Sequence, residues 1–397
     1  MATPVAVHTT TAGLRGLTWD HPRVYAPLEE LARLDASVPA GCETVARPLS
    51  WERKPAAAFA AAPVRRYAGD YDLLVVAHPG LGTAVASGCL LPMETLFDAA
   101  ELDHWRRTSV GASYESYRLG GHTWALPLDV STQVAAARPD LVDEDRLPRT
   151  WKEAAALART IPTVLCLGGP HAFLTLCSMS LAQGKEPMRE EEDGTVVCRE
   201  TGLAALDMMA TLRARTAPPL RTCDPNSVLR AMAQDAGPAY CPLVYGYATY
   251  TRAGAYPLAF SRPPGWCADG PAGSVLGGAG LAVSARRVRD TETRAAVRDH
   301  VRRLLSDPVQ RDLFPMTGGQ PAARTAWTGR RTDPHWRGFC HDTLTTVEGA
   351  WLRPRMPGYL TFQERASLLL REGLAERIPH RTLLDSLDSW YREGNWH

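Results

Sequence analysis

Several features that would settle a function class are missing from this sequence. Charges of opposite sign nearly cancel, with 44 Lys and Arg against 43 Asp and Glu and a formal charge of +1. No net field therefore argues for nucleic acid as a partner. Basic residues gather near Arg286–Arg303 and Arg324–Arg337, but acids and aromatics interrupt both runs, as on solvated helix faces. No run of about 18 apolar residues occurs, so a membrane-spanning helix is not expected. Nine cysteines are odd in number and scattered, and none forms a Cys-x-x-Cys pair. That argues against structural zinc and against a disulfide framework. The N-terminal MATPVAVHTTTAGLRGLTW shows no basic start, no apolar core of the required length and no small-residue cleavage site. Together these absences make a reducing, cytoplasmic setting the expectation, with no metal, cofactor, nucleic acid or membrane as partner. The oligomeric state is left open.

What is present is the composition of a soluble globular protein, 45% hydrophobic and 22% charged. A length of 397 residues suits two domains better than one core. Leu14–Thr18 reads as a strand that runs into Trp19, Asp20 and His21. Leu28, Leu31 and Leu34 then mark an amphipathic helix, with Pro27 expected in its first turn. Tyr71–Ala77 is a near-continuous apolar run, the signature of a strand buried on both faces, and it ends at His78. A helix at Thr83–Ser87 follows. Strands alternating with helices predict a parallel α/β sheet, whose ligands sit outside the carboxyl ends of the strands. Trp19, Asp20, His21 and His78 all lie at such ends.

The stretch His122–Val142 holds two strand-like runs with Pro127 and Asp129 at the bend between them. Proline denies the ladder a donor, so a strand crossing there should bend or lie at an edge. Glycine-rich Val275–Ser284 is a second candidate crossing, and Ala322–Trp327 a third strand-like passage. Thr150 with Glu153 predicts a capping box. Val164–Leu167 reads as a short strand before His171 and a helix over Ala172–Leu181. Residues 184–200 are expected to form an exposed hairpin. Leu203–Leu212 and Thr222–Met232 are expected as helices, Cys241–Tyr250 as a tyrosine-rich strand, and the tail as three helices.

This order of elements resembles the family 1 extracellular solute-binding proteins, the sugar-binding class that serves ABC importers. YDLLVVAHPGLGTAVASGCLLPM is similar to that family's strand–helix unit, WALPLDVSTQVAAARPDLV to its first hinge crossing, VLGGAGLAVSA to its second, and SDPVQRDLFPMTGGQPAAR to the helix and turn before its third. The resemblance implies an α/β, two-lobed periplasmic-binding-protein-like (type II) fold with discontinuous lobes and three hinge crossings. One lobe would comprise residues 1–128 plus 280–322, the other 129–279 plus 323–397. It also implies ligand contacts at Trp19, Asp20, His21, His78, Asp129, His171 and Tyr247, with Arg353 and Arg355 in a C-terminal contact loop. Tyr245 joins these as a candidate binding residue.

Asp20, His21 and His78 in one cleft would supply a carboxylate and two imidazoles able to shuttle protons near neutral pH. The first expectation is therefore an acid–base enzyme of lyase, isomerase or cyclisation type, independent of metal and acting on a small polar or carboxylated substrate. The alternative is a non-catalytic solute-binding protein of an importer, or an intracellular sensor.

Overall fold

A computed structural model describes residues 13–37, 47–55, 64–189, 194–252, 254–329 and 334–394. Nine strands are present among them. They are β1 (Leu14–Trp19), β2 (Leu49–Lys54), β3 (Leu73–Val76), the two-residue β4 (Arg118–Leu119) and β5 (His122–Thr123), then β6 (Ala125–Ala137), β7 (Tyr240–Tyr245), β8 (Ala259–Ser261) and β9 (Leu276–Val283). The main sheet runs β2-β1-β3-β9-β6-β7, with β8 also paired to β6, while β4 and β5 form a separate hairpin. β1 pairs in parallel with both β2 and β3, whereas β9 is antiparallel to β3 and to β6.

Burial explains why these runs are strands. All four residues of β3 are buried. Alternate side chains of a strand point to opposite faces. Accordingly Leu73 and Val75 join a core with Leu14, Val24 and Leu28, while Leu74 and Val76 join one with Leu17 and Tyr71. The first of these cores closes with Leu281, Val283 and the helix Thr291–Leu304, which the chain supplies on its return. Further along β6 the partners change. Val134 and Ala136 pack with Cys241, Val244 and Phe260, and Ala135 and Ala137 with Tyr240 and Ala154. The largest core surrounds the helix His171–Ala182, apolar on nearly every side, whose Phe173 meets Phe362 edge-on at 5.6 Å. Separate cores on one continuous sheet make two lobes. Val110, early in the chain, nevertheless packs into the core of Val130, Val134 and Trp336.

β6 and β9 run through the junction, and both carry unusual backbone there. The β6–β9 register shifts between Pro127 and Asp129, so the bend expected at the proline is a bulge in a paired strand and not an edge. The other side of that bulge is closed by the third passage. Val130 donates to the Gln320 carbonyl at 2.9 Å, and Ala322 to the Leu128 carbonyl at 3.3 Å. Glycines in β9 allow close approach, since a Cβ at Gly277 would collide with the Tyr245 ring and one at Gly280 with the Tyr117 ring. Gly278 has φ +136, where a Cβ would strike the Asp129 carbonyl.

Several local expectations are corrected. The third passage is strand-like only as far as Ala323, and Arg324–Thr328 is a helix. Pro27 lies inside the helix Pro22–Ala36 and not in its first turn, because the helix starts at once after His21. Val164–Leu167 reaches β7 only through Val164, which donates to the Tyr240 carbonyl at 3.0 Å, and Leu165 then turns to the Thr216 hydroxyl at 3.0 Å, so no ladder continues. Of residues 184–200, expected as a hairpin, 190–193 lie outside the described residues; on either side of them Met188 donates to the Val196 carbonyl at 2.9 Å. The tyrosine-rich strand stops at Tyr245, and residues Ala248–Thr251 turn as a short 3-10 helix. β2 was missed because LSWERK carries the charges of an edge strand. The capping box at Thr150 and Glu153 is present.

Gly278→Ala should destabilise the protein by about 2 kcal/mol or more, because the new side chain meets both an unfavourable φ and a backbone carbonyl. Urea denaturation measures this, and an unchanged midpoint would mean the junction yields without cost.

Candidate functional site

Because β1 and β3 are parallel neighbours with Gly16 opposite Leu73, the residues after them emerge at one edge of the sheet. His21 follows β1 and caps the helix Pro22–Ala36. Its Nδ1 accepts the Arg23 backbone N–H at 3.2 Å, and Nε2 lies 2.8 Å from Asn226 Oδ1. With Nδ1 accepting, Nε2 carries the proton and donates it to Asn226. Burial, and next to it the Arg23 charge, lowers the His21 pKa to about 4. The ring also meets Tyr247 edge-on at 5.0 Å. Both nitrogens of a neutral imidazole are thus engaged in hydrogen bonds. Asp20 lies on the rim, with its side chain half exposed and 3.9 Å from Arg53. Trp19 is half-buried against the first lobe's core.

Beneath His21, Arg23 is buried with Nη2 3.1 Å from Asp129 Oδ1, and its guanidinium lies 4.8 Å over the Tyr247 ring. Neither oxygen of Asp129 has a directed hydrogen bond, so the pair is a charge contact. Burial raises the Asp129 pKa to about 6, against the opposing pull of Arg23. His78 opens the turn after β3. It is fully buried and edge-on to Tyr117 at 6.3 Å, and its Nε2 has no partner. Burial, then Arg353 and Arg355, pushes its pKa well down.

The second lobe supplies His171 at the start of its helix, edge-on to Tyr245 at 5.5 Å, with Nδ1 unpartnered. Burial first, then Arg353, lowers the His171 pKa to about 3. Tyr245 is buried in the second lobe's core and donates to the Leu276 carbonyl at 3.4 Å. Arg355 donates to the Glu115 and Arg118 carbonyls, tying the C-terminal loop to the first lobe. Buried Arg353, Tyr117 and Tyr359 complete the set, and the Tyr359 hydroxyl also lacks a partner. A cavity of about 590 Å³ opens beside Glu94, Tyr114 and Arg118.

Asn226, Tyr117, Tyr359 and Gln320 were not picked out from the sequence. Gln320 donates to the carbonyls of Val130 and Gly246 and accepts from Ala248 N–H, so one side chain fastens the third passage to β6 and to the end of β7. Its place in the turn Gly318-Gly319-Gln320-Pro321 was the available signal. The tyrosines offered none, because each reaches the junction only through packing.

The Asp129 carboxyl gives a pH test. Below pH about 4 it is protonated in both folded and unfolded chains. Between about 4 and about 6 the folded chain holds a proton that the unfolded chain has released, so this group's contribution to stability falls as pH rises. The unfolding free energy of wild type minus that of Asp129→Asn should therefore drop by on the order of 2 kcal/mol from pH 4 to pH 7. A difference that is flat with pH in urea titrations would place the Asp129 pKa at its ordinary value.

Neither a protein-family model nor a curated protein sequence matches this chain. Solved structures do. An ABC-transporter solute-binding protein from Agrobacterium radiobacter, in complex with ribitol, superposes with a TM-score of 0.78 at 20% identity, over 96% of this chain and 98% of that one. A solute-binding protein from Thermotoga lettingae bound with α-D-tagatose gives 0.77 at 16% identity, over 96% and 99%. The GacH receptor of Streptomyces glaucescens, solved without ligand and with acarbose, gives 0.74 at 18% identity, over 96% and 98%. The chain therefore has the two-lobed α/β fold of the ABC-transporter solute-binding proteins.

Proposed function

We propose that this protein binds a small polyhydroxylated solute between its two lobes and does not transform it. The observation that carries the reading is the set of buried, unpartnered polar atoms where the lobes meet, namely His78 Nε2, His171 Nδ1 and the Tyr359 hydroxyl. Buried polar groups are nearly always hydrogen-bonded, and leaving one unpaired costs about 1–3 kcal/mol. Several such atoms converging from both lobes are the complement of a ligand rich in hydroxyls. The structural neighbours hold polyol or sugar-like ligands, which supports the same class.

The proton-transfer reading is weaker here. His21, its intended acid or base, already spends both ring nitrogens on Arg23 and Asn226. His78 remains as a titratable group with an unpartnered ring nitrogen, and a product assay decides between the two readings.

Native mass spectrometry of freshly purified protein should reveal a retained small molecule. Calorimetry with ribitol, D-tagatose and maltose should find binding by at least one of them. His78→Ala and His171→Ala should each weaken that binding about tenfold, the equivalent of one hydrogen bond of about 1.4 kcal/mol. The bound solute should be recovered unchanged. Its steady conversion by wild type, lost in His78→Ala, would restore the enzymatic reading.

A further inference from the structure

Two other buried arginines of this chain have a carboxylate beside them. Arg23 has Asp129, and Arg138, 1% exposed, meets Asp140 through Nε at 2.7 Å and Nη2 at 2.6 Å. Arg353 is the exception. It is 9% exposed, and its Nη1 donates to Gln363 Oε1 at 3.0 Å and its Nη2 to the Leu276 carbonyl at 3.2 Å, both neutral acceptors. Its Nε has no partner, and no carboxylate pairs with it among the described residues. A buried charge with no countercharge costs several kcal/mol, so proteins rarely keep one without something to balance it.

The surroundings do not supply the balance. Arg353 influences His78, His171, Tyr117 and Tyr245, which come from both lobes, so it lies at their junction. Both imidazoles are held neutral, chiefly by burial, and offer hydrogen bonds without charge. Asp129 is already matched by Arg23. Arg355, half-buried beside them, is held by backbone carbonyls and adds a second cation. Asp224 acts on His171 and Glu115 on Arg355, but neither pairs with Arg353, whose guanidinium has no carboxylate partner among the described residues.

We propose that the solute carries a carboxylate, and that Arg353 is its counter-ion when the lobes are closed. This rests on the solute-binding reading and narrows it from neutral polyols to sugar acids. The free Nε–H, together with N–H groups that the neutral His78 and His171 can present, provides donors for carboxylate oxygens. The hydroxyls of the same molecule would meet Asp129 and Tyr359.

Matched pairs differing only in the acid group test this: ribitol with D-ribonate, D-glucose with D-glucuronate, and D-galactose with D-galacturonate. Each is titrated into the full chain by calorimetry at low and high salt. The acid member of the binding pair should bind at least about tenfold more tightly than its neutral twin. Arg353→Gln should bring the two members of that pair within about threefold of each other, while Arg353→Lys should keep much of the preference. If Arg353→Gln does not fold, the wild-type comparison within pairs still decides. A neutral member binding as tightly as its acid, or more tightly, overturns the carboxylate inference and leaves the solute reading standing. Binding by no member of any pair, with no retained small molecule in native mass spectra, overturns both.

Discussion

The pairing of β6 with β9 at the junction is the constraint on which the rest of the molecule depends. These two strands carry the sheet from one set of cores to the other, and at their meeting point the register slips between Pro127 and Asp129. The slip turns Asp129 into a buried position. Gly277 and Gly280 let Tyr245 and Tyr117 lie close against the opposite strand. The sheet continues across the junction while each lobe keeps cores of its own.

Electrostatics at the junction follow from burial more than from pairing. Desolvation disfavours charge on any isolated group, so His78 and His171 are kept neutral and Asp129 is drawn toward protonation. The guanidiniums stay charged, because arginine does not lose its proton in proteins. A site assembled from neutral imidazoles, tyrosines and permanent cations is suited to holding hydroxyls and anionic oxygens. Direct links between early and late parts of the chain, His21 to Asn226 and Arg355 to Glu115 and Arg118, help hold the lobes together in this arrangement.

Much of the architecture was legible in the sequence because it rests on local signals. The apolar run of β3, the Thr150 capping box and the proline and glycines at the crossings each declare themselves within a few residues. The failures share a different cause. Ala322–Trp327 is as apolar as a strand, yet once past Ala323 it coils into a helix, because only the first residues of the passage have β6 to pair with. β2 carries no local signal of its own, because its partner β1 lies a helix and more away in the chain. His21 was visible as a residue but not in its role, which is set by Asn226, 205 positions later.

The sequence by itself determined many of the strands and helices, that the fold is of α/β type, and that Asp20, His21 and His78 follow strands. It could do so because hydrophobic period, capping and proline chemistry act between neighbours along the chain. Only the tertiary structure decided which polar groups are satisfied. His21 and Asp20 are spent on Asn226 and on the rim, while Arg353, His78 and His171 are left buried with hydrogen-bonding capacity unused. Whether a side chain is free depends on partners hundreds of residues distant and on the loss of water around them, and neither is written in any local pattern.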